Sequence, residues 1–82
     1  MKYEYIISGT RHEIGHATGH VEASTLLYKA GFFRTHAFRL FPDPAPDDAE
    51  PLDEVNLNER TRFLAVPKGA EPGDMRYFYG EH

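Results

Sequence analysis

Residues 12 to 20 read His-Glu-Ile-Gly-His-Ala-Thr-Gly-His, and the secondary structure of this stretch decides the fold. On a helix, His12 and His16 would lie one turn apart on the same face, so both could bind one metal ion. On a strand, residues four apart lie about 13 Å from each other, which prevents them from sharing a metal. The first question is therefore which of the two structures the composition favours.

The composition of this stretch favours a strand. Gly15 and Gly19 would each destabilise a helix by about 1 kcal/mol relative to alanine. Over residues 16–23, small or apolar residues alternate with polar ones, which is the period of a strand. Residues 2–10 alternate in the same way. The sequence therefore predicts two strands, joined by a connection that lies between Gly9 and Gly15.

The rest of the chain predicts one short helix and three further strands. Ser24 or Thr25 is expected to be the N-cap of the helix, which should end at Gly31. Runs rich in aromatic and apolar residues predict strands over residues 33–41, 61–66 and 75–79. The resulting order, β-β-α-β-β-β, is typical of an α+β fold with a small, mainly antiparallel sheet and one short helix.

The length of 82 residues predicts a single domain, 1–82, with a thin hydrophobic core. The chain has no cysteine, which excludes disulfide bonds, thiolate metal ligands and thiol catalysis. Its first residues do not resemble a signal peptide, and no apolar run approaches the roughly 20 residues that a membrane-spanning helix needs. We therefore expect a cytoplasmic protein that does not interact with membranes.

The net charge of −4 is distributed unevenly along the chain. Residues 42–59 contain seven Asp or Glu, four of the six prolines and no basic residue. This segment, called the acidic segment below, has too few apolar residues to fold by itself, which predicts an extended surface loop. The candidate partner-binding residues are Asp43, Asp47, Asp48, Glu50, Asp53 and Glu54.

Four residues match the longer pattern H-E-x-x-H-x-x-G-x-x-H, namely His12, Glu13, His16 and Gly19. The stretch therefore resembles the active-site segment of the metzincin zinc peptidases. That resemblance implies a zinc ion held by His12 and His16, with Glu13 as the general base. It covers eight or nine of the 82 residues. The family's third ligand position holds a glutamate here, and His20 is the nearest histidine. The alternative to a binding protein is thus a zinc-dependent hydrolase with Glu13 as its catalytic residue and His12, His16 and His20 as candidate ligands.

A sheet could also carry a metal site of another kind or a nucleic-acid-binding surface. His20 and Glu22 are two residues apart and could share a metal ion with His36 from a neighbouring strand, although we favour the interpretation that these are polar residues on an exposed sheet face. Arginines interleaved with aromatic residues are typical of sheets that bind single-stranded nucleic acid. The negative net charge opposes direct nucleic-acid binding, and the arginines could instead cover aromatic rings with their stems. These arginines are Arg34, Arg39, Arg60, Arg62 and Arg76.

These observations favour a non-enzymatic protein-binding module that needs no cofactor. The acidic segment would bind a partner with a basic surface. One form of this hypothesis is an inhibitor that occupies the groove of a nucleic-acid-handling protein. In size and charge the chain is similar to phage-encoded anti-defence proteins such as anti-CRISPR proteins. An unpaired edge strand would also allow a homodimer to form by sheet extension.

Overall fold

The computed structural model describes residues 2–15, 18–46 and 48–72. The predicted fold class is confirmed, since these residues form a mainly antiparallel sheet, a second small sheet and one short helix that has strands before and after it. The predicted strand over residues 75–79 lies outside the described residues. In chain order the elements are β1 (Lys2–Ile7), β2 (Thr10–Gly15), β3 (His20–Glu22), α1 (Ala23–Lys29), a 3₁₀ turn (Thr35–Ala37), β4 (Phe38–Pro42), β5 (Glu54–Asn56) and β6 (Arg62–Pro67).

The strands form two sheets. The larger has the order β2-β1-β6-β4, and the smaller pairs β3 with β5. All neighbours are antiparallel except β1 and β6, which run parallel and pair over a short register in which Ile6 lies opposite Arg62. An isolated bridge between Leu40 and Leu52 joins β4 to the segment that leads into β5. The two sheets are therefore linked through the edge of β4.

The first hairpin closes earlier than the sequence predicted. Ser8 and Gly9 form a two-residue turn with φ angles of 49° and 83°. Turns with two positive φ angles match the right-handed twist of the flanking strands. The prediction of a connection over residues 9–15 is wrong, because this tight turn lets the next six residues pair at once and form β2. Of the described residues in the predicted strand over 16–23, His20–Glu22 form β3, while residues 18 and 19 form a bend and residue 23 begins the helix.

The helix α1 begins before the predicted caps. Its N-cap is Glu22, whose side chain makes no capping hydrogen bond, so the prediction of Ser24 or Thr25 as the cap is wrong. The physical reason is that the Ala23 N–H group donates to the Asp53 carbonyl at 2.8 Å, which continues the β3–β5 pairing into the helix start. The predicted end is confirmed, because Gly31 follows the last turn with a φ of +100°.

Strand β6 confirms the prediction over residues 61–66 within one residue at each end. Strand β4 begins five residues later than predicted, because Thr35–Ala37 form a 3₁₀ turn. The backbone before this turn is committed to the end of the helix, since the Phe32 N–H group donates to the Leu27 carbonyl at 2.9 Å. A strand cannot start until the chain has left that hydrogen bond.

Strand β6 is buried on both faces and separates two hydrophobic cores. Phe63 and Ala65 point into the main core, whereas Leu64 and Val66 point to the opposite side of the sheet. The main core also contains Tyr5, Ile7, Ile14, Val21, Ala23, Leu26, Leu27, Leu40, Val55 and Leu57. The smaller cluster, called the back cluster below, consists of Phe41, Leu64 and Val66, covered by the half-buried Ala45, Ala49 and Ala70.

Candidate interaction surface

Two residues of the zinc-peptidase pattern, His12 and Glu13, lie on a strand, and Gly19 lies in a bend before β3. Residues 12–15 belong to β2, so the helix that this site requires is not formed there. His12 points to the core side, where its ring centroid lies 5.5 Å from that of Tyr5, and burial lowers its pKa. Glu13 is the next residue along the strand, and its exposed side chain points to the opposite face. His16 lies outside the described residues.

The alternative metal site on the strands is also dispersed. His20 is exposed on β3, and its Nδ1 lies 3.7 Å from Oε1 of Glu54 on β5. Glu22 lies at the other end of β3, and His36 lies in the 3₁₀ turn. In the described ranges, no three His, Asp or Glu side chains come close enough together to hold a metal ion.

The acidic segment is attached to the fold along its length. Ala45 and Ala49 pack on the back cluster. Further along, the Leu52 N–H group donates to the Leu40 carbonyl at 2.8 Å, and the Asp53 carbonyl accepts from Ala23. Residues 54–56 then form β5. Most of its described side chains are exposed or half-buried, but Val55 and Leu57 lie in the main core, and the prediction of a loop over residues 42–59 did not include the short strand.

Most of the predicted partner-binding carboxylates point into solvent. Asp48, Glu50, Asp53 and Glu54 are exposed, Asp43 is half-buried, and Asp47 lies outside the described residues. Glu54 faces His20, but it also lies directly opposite Glu22 in the β3–β5 register. Within the described part of the chain, the side chains of Asp48, Glu50 and Asp53 form neither an ion pair nor a hydrogen bond. Asp48, Glu50 and Asp53 thus present negative charge that the rest of the described fold does not neutralise.

A cleft of about 320 Å³ lies between the start of α1 and β4. Glu22 and Asp53 line one part of it, and His36 and Lys68 also contribute to its lining. Its apolar lining includes Leu27, Phe38, Leu40 and Leu52. Acidic and basic groups are therefore found around the same depression.

A second depression, of about 290 Å³, shares Ser24 and Thr35 with the cleft and also contacts Tyr28 and Lys29. Tyr28 is 56% exposed and Phe33 is 70% exposed, which makes them the large apolar side chains that the described residues leave open to solvent. Their rings meet edge to face, with centroids 5.2 Å apart. Sequence reasoning missed this aromatic pair, because it assigned one ring to a helix and the other to a strand.

The described arginines of the predicted nucleic-acid-binding set have different surroundings. Arg39 packs its guanidinium over the Phe41 ring, 5.1 Å from the centroid, and Nη2 donates to the Ala70 carbonyl at 2.7 Å. This is the ring-covering role that the sequence left open. Arg34 follows the exposed Phe33 and is itself exposed. Arg60 and Arg62 are exposed near β6, and Arg76 lies outside the described residues.

The single α-helix in the described ranges has seven residues, so none of the helices described there could cross a membrane. Comparisons with models of known protein families, with curated proteins and with solved structures found no match for this chain. The function is therefore inferred from the surface of this chain alone.

Proposed function

We propose that this protein is a non-enzymatic binding module whose acidic segment engages a partner protein with a basic surface. The observation that carries this proposal is the set of exposed, unneutralised carboxylates on an anchored backbone: Asp48, Glu50 and Asp53. A partner rich in Lys and Arg would supply the charge that the chain's own described residues do not.

Anchoring matters because a fixed charge pattern loses less conformational entropy on binding than a flexible one. The backbone before Asp48 is held by the packing of Ala45 on the back cluster. The backbone at Asp53 is held by its hydrogen bond from Ala23. The carboxylates between these points are therefore displayed on a backbone that is tied down on both sides. Complementary charges of this kind accelerate association by about 10-fold to 1000-fold and set specificity.

The partner class that fits best is a protein whose basic groove normally holds nucleic acid, because such a groove already binds a chain of closely spaced negative charges. Occupation of that groove by the acidic segment would make this protein an inhibitor. A role of the kind that anti-CRISPR proteins have is one form of this proposal.

The test uses the full chain as bait and compares two doubly substituted variants with the same net charge. Asp48→Asn/Glu50→Gln removes two carboxylates of the acidic segment, whereas Glu4→Gln/Glu13→Gln removes two exposed carboxylates of the β1–β2 hairpin. A partner captured by the wild type should be purified and its association rate measured against salt. We expect the association rate of Asp48→Asn/Glu50→Gln to be about 10-fold lower than that of the wild type, and that of the hairpin variant to be unchanged. The association rate of the wild type should also decrease as salt is added.

Two results would contradict the proposal. Equal association rates for the two variants would show that the acidic segment does not contact the partner. Binding that is independent of salt would show that charge does not drive recognition. Displacement of the partner's nucleic acid by the wild-type protein, but not by Asp48→Asn/Glu50→Gln, would support the inhibitor form.

A further inference from the structure

Tyr28 and Phe33 form an exposed pair of aromatic side chains at the end of α1. Aromatic side chains bury large areas and are enriched at the centres of protein interfaces. Here the two rings contact each other, so they present one apolar patch and not two scattered residues. An exposed apolar patch is a candidate contact surface.

The aromatic pair is held in place by the end of α1. The Gly31 N–H group donates to the Tyr28 carbonyl at 3.1 Å, and the Phe32 N–H group donates to the Leu27 carbonyl at 2.9 Å. With φ of Gly31 at +100°, this is the Schellman arrangement. Phe32 then packs on Phe38, with centroids 4.9 Å apart, while Phe33 turns outward. The patch is therefore formed before any partner binds.

The aromatic pair and the cleft belong to one continuous face, because Ser24 and Thr35 contribute to both depressions. At one end of this face are the exposed carboxylates of Glu22 and Asp53, in a cleft that His36 and Lys68 also line. Lys29 lies beside the aromatic pair at the other end, and Arg34 follows Phe33. Neither the two carboxylates nor Lys29 and Arg34 form an ion pair or side-chain hydrogen bond within the described ranges. We call this surface the two-sign face.

A uniformly charged partner would be repelled at one end of the two-sign face. A second copy of the chain would not. When two copies meet about a twofold axis near Ser24 and Thr35, the acidic end of each faces the basic, aromatic end of the other. This attractive contact then occurs twice, as in any isologous dimer. We propose that the two-sign face is the interface of a homodimer of this kind, with Tyr28 and Phe33 as its apolar anchors.

The test exploits this symmetry through sedimentation velocity of the full chain over a range of concentrations. The acid-end variant, Glu22→Lys/Asp53→Lys, and the basic-end variant, Lys29→Glu/Arg34→Glu, should each be monomeric, because each brings like charges together twice. An equimolar mixture should form a heterodimer, because one variant then has two basic ends and the other has two acidic ends. This recovery also shows that both variants are folded.

Other variants sharpen the test. Phe33→Ser should raise the dimer dissociation constant by about 30-fold, the effect of losing a central aromatic contact. Glu13→Lys reverses a charge on β2 and should leave the dimer intact. A monomeric wild type, or charge-reversal variants that stay dimeric, would overturn the proposal, as would a mixture that fails to associate. Asp53 belongs to both proposed surfaces, but the two proposals are tested separately, since Asp48→Asn/Glu50→Gln should weaken partner binding and leave the dimer unchanged.

Discussion

Replacing Leu64 with alanine should loosen the acidic segment while the rest of the fold stays in place. Leu64 is buried in the back cluster. Removal of three carbon atoms costs about 2.4 kcal/mol at about 0.8 kcal/mol per methylene. Leucine-to-alanine changes in protein cores cost about 2 to 5 kcal/mol, and we expect about 2 to 3 kcal/mol here because the alanines that cover the cluster can move into the space. A chain of this size has a stability of about 4 to 12 kcal/mol, so the variant should remain folded.

Leu26→Ala is the matched control. Leu26 is fully buried in the main core, so its loss should cost about 3 to 5 kcal/mol. Urea unfolding measures the global free energy of unfolding of both variants. Amide hydrogen exchange measures local opening at the Ala49 N–H group, which donates to the Pro46 carbonyl at 3.0 Å, and at the Asp43 N–H group, which donates to the Arg62 carbonyl at 3.1 Å.

The two variants should separate in the exchange experiment. Leu64→Ala should speed exchange at Asp43 and Ala49 beyond any change elsewhere in the sheet. Leu26→Ala should lower global stability without selectively speeding exchange at these two amides. Unchanged exchange at Ala49 in Leu64→Ala would refute the argument that the back cluster holds the acidic segment in place.

Three further changes test other parts of the fold. Burial raises the pKa of Tyr5 above its ordinary value of about 10. As pH rises, the phenol therefore ionises in the unfolded chain before it ionises in the folded protein, so the fold should lose stability above about pH 10. Tyr5→Phe should remove this decline. It should also cost about 1 kcal/mol near neutral pH, because the hydrogen bond to the Leu26 carbonyl is lost. If urea unfolding showed the same decline with pH in both proteins, this prediction would be contradicted. Gly31→Ala meets no neighbour but forces alanine to a φ of +100°, so thermal unfolding should show a loss of about 1 to 2 kcal/mol; an unchanged midpoint would show that the turn relaxes freely. Glu13 lies opposite Glu4 on the exposed hairpin face, so Glu13→Lys should add about 0.5 kcal/mol in urea unfolding, and Glu13→Gln should add less.

Local signals in the sequence identified the elements whose structure depends on near neighbours. The run over residues 61–66 is apolar for four consecutive positions, as expected for a strand buried on both faces, and β6 has that environment. Gly31 ended the helix because only glycine adopts a positive φ there without strain. Gly15 and Gly19 argued against a helix across this stretch, and residues 12–15 are not helical, although they form β2 and not the predicted connection.

Pairings between distant segments could not be read in this way. Strand β5 has three residues within a proline-rich acidic segment, and it forms because β3 offers a partner. The start of α1 depends on the Asp53 carbonyl for the same reason. For the candidate surface, composition identified the carboxylates. Their anchoring depends on Ala45 and Ala49 meeting the back cluster, and the exposure of Phe33 depends on how the helix end packs, so neither could be predicted.

The position of β6 between β1 and β4 governs the order in which the fold can assemble. Strand β1 is the first of the described elements, yet it pairs with β6, which is the last strand among them. During synthesis the β1–β2 hairpin can close by itself, but the four-stranded sheet cannot form until β6 has left the ribosome. Until then Phe41 has no β6 to pack against. Because such long-range pairing slows folding, we expect refolding from urea in milliseconds to seconds, slower than for a helical protein of the same length.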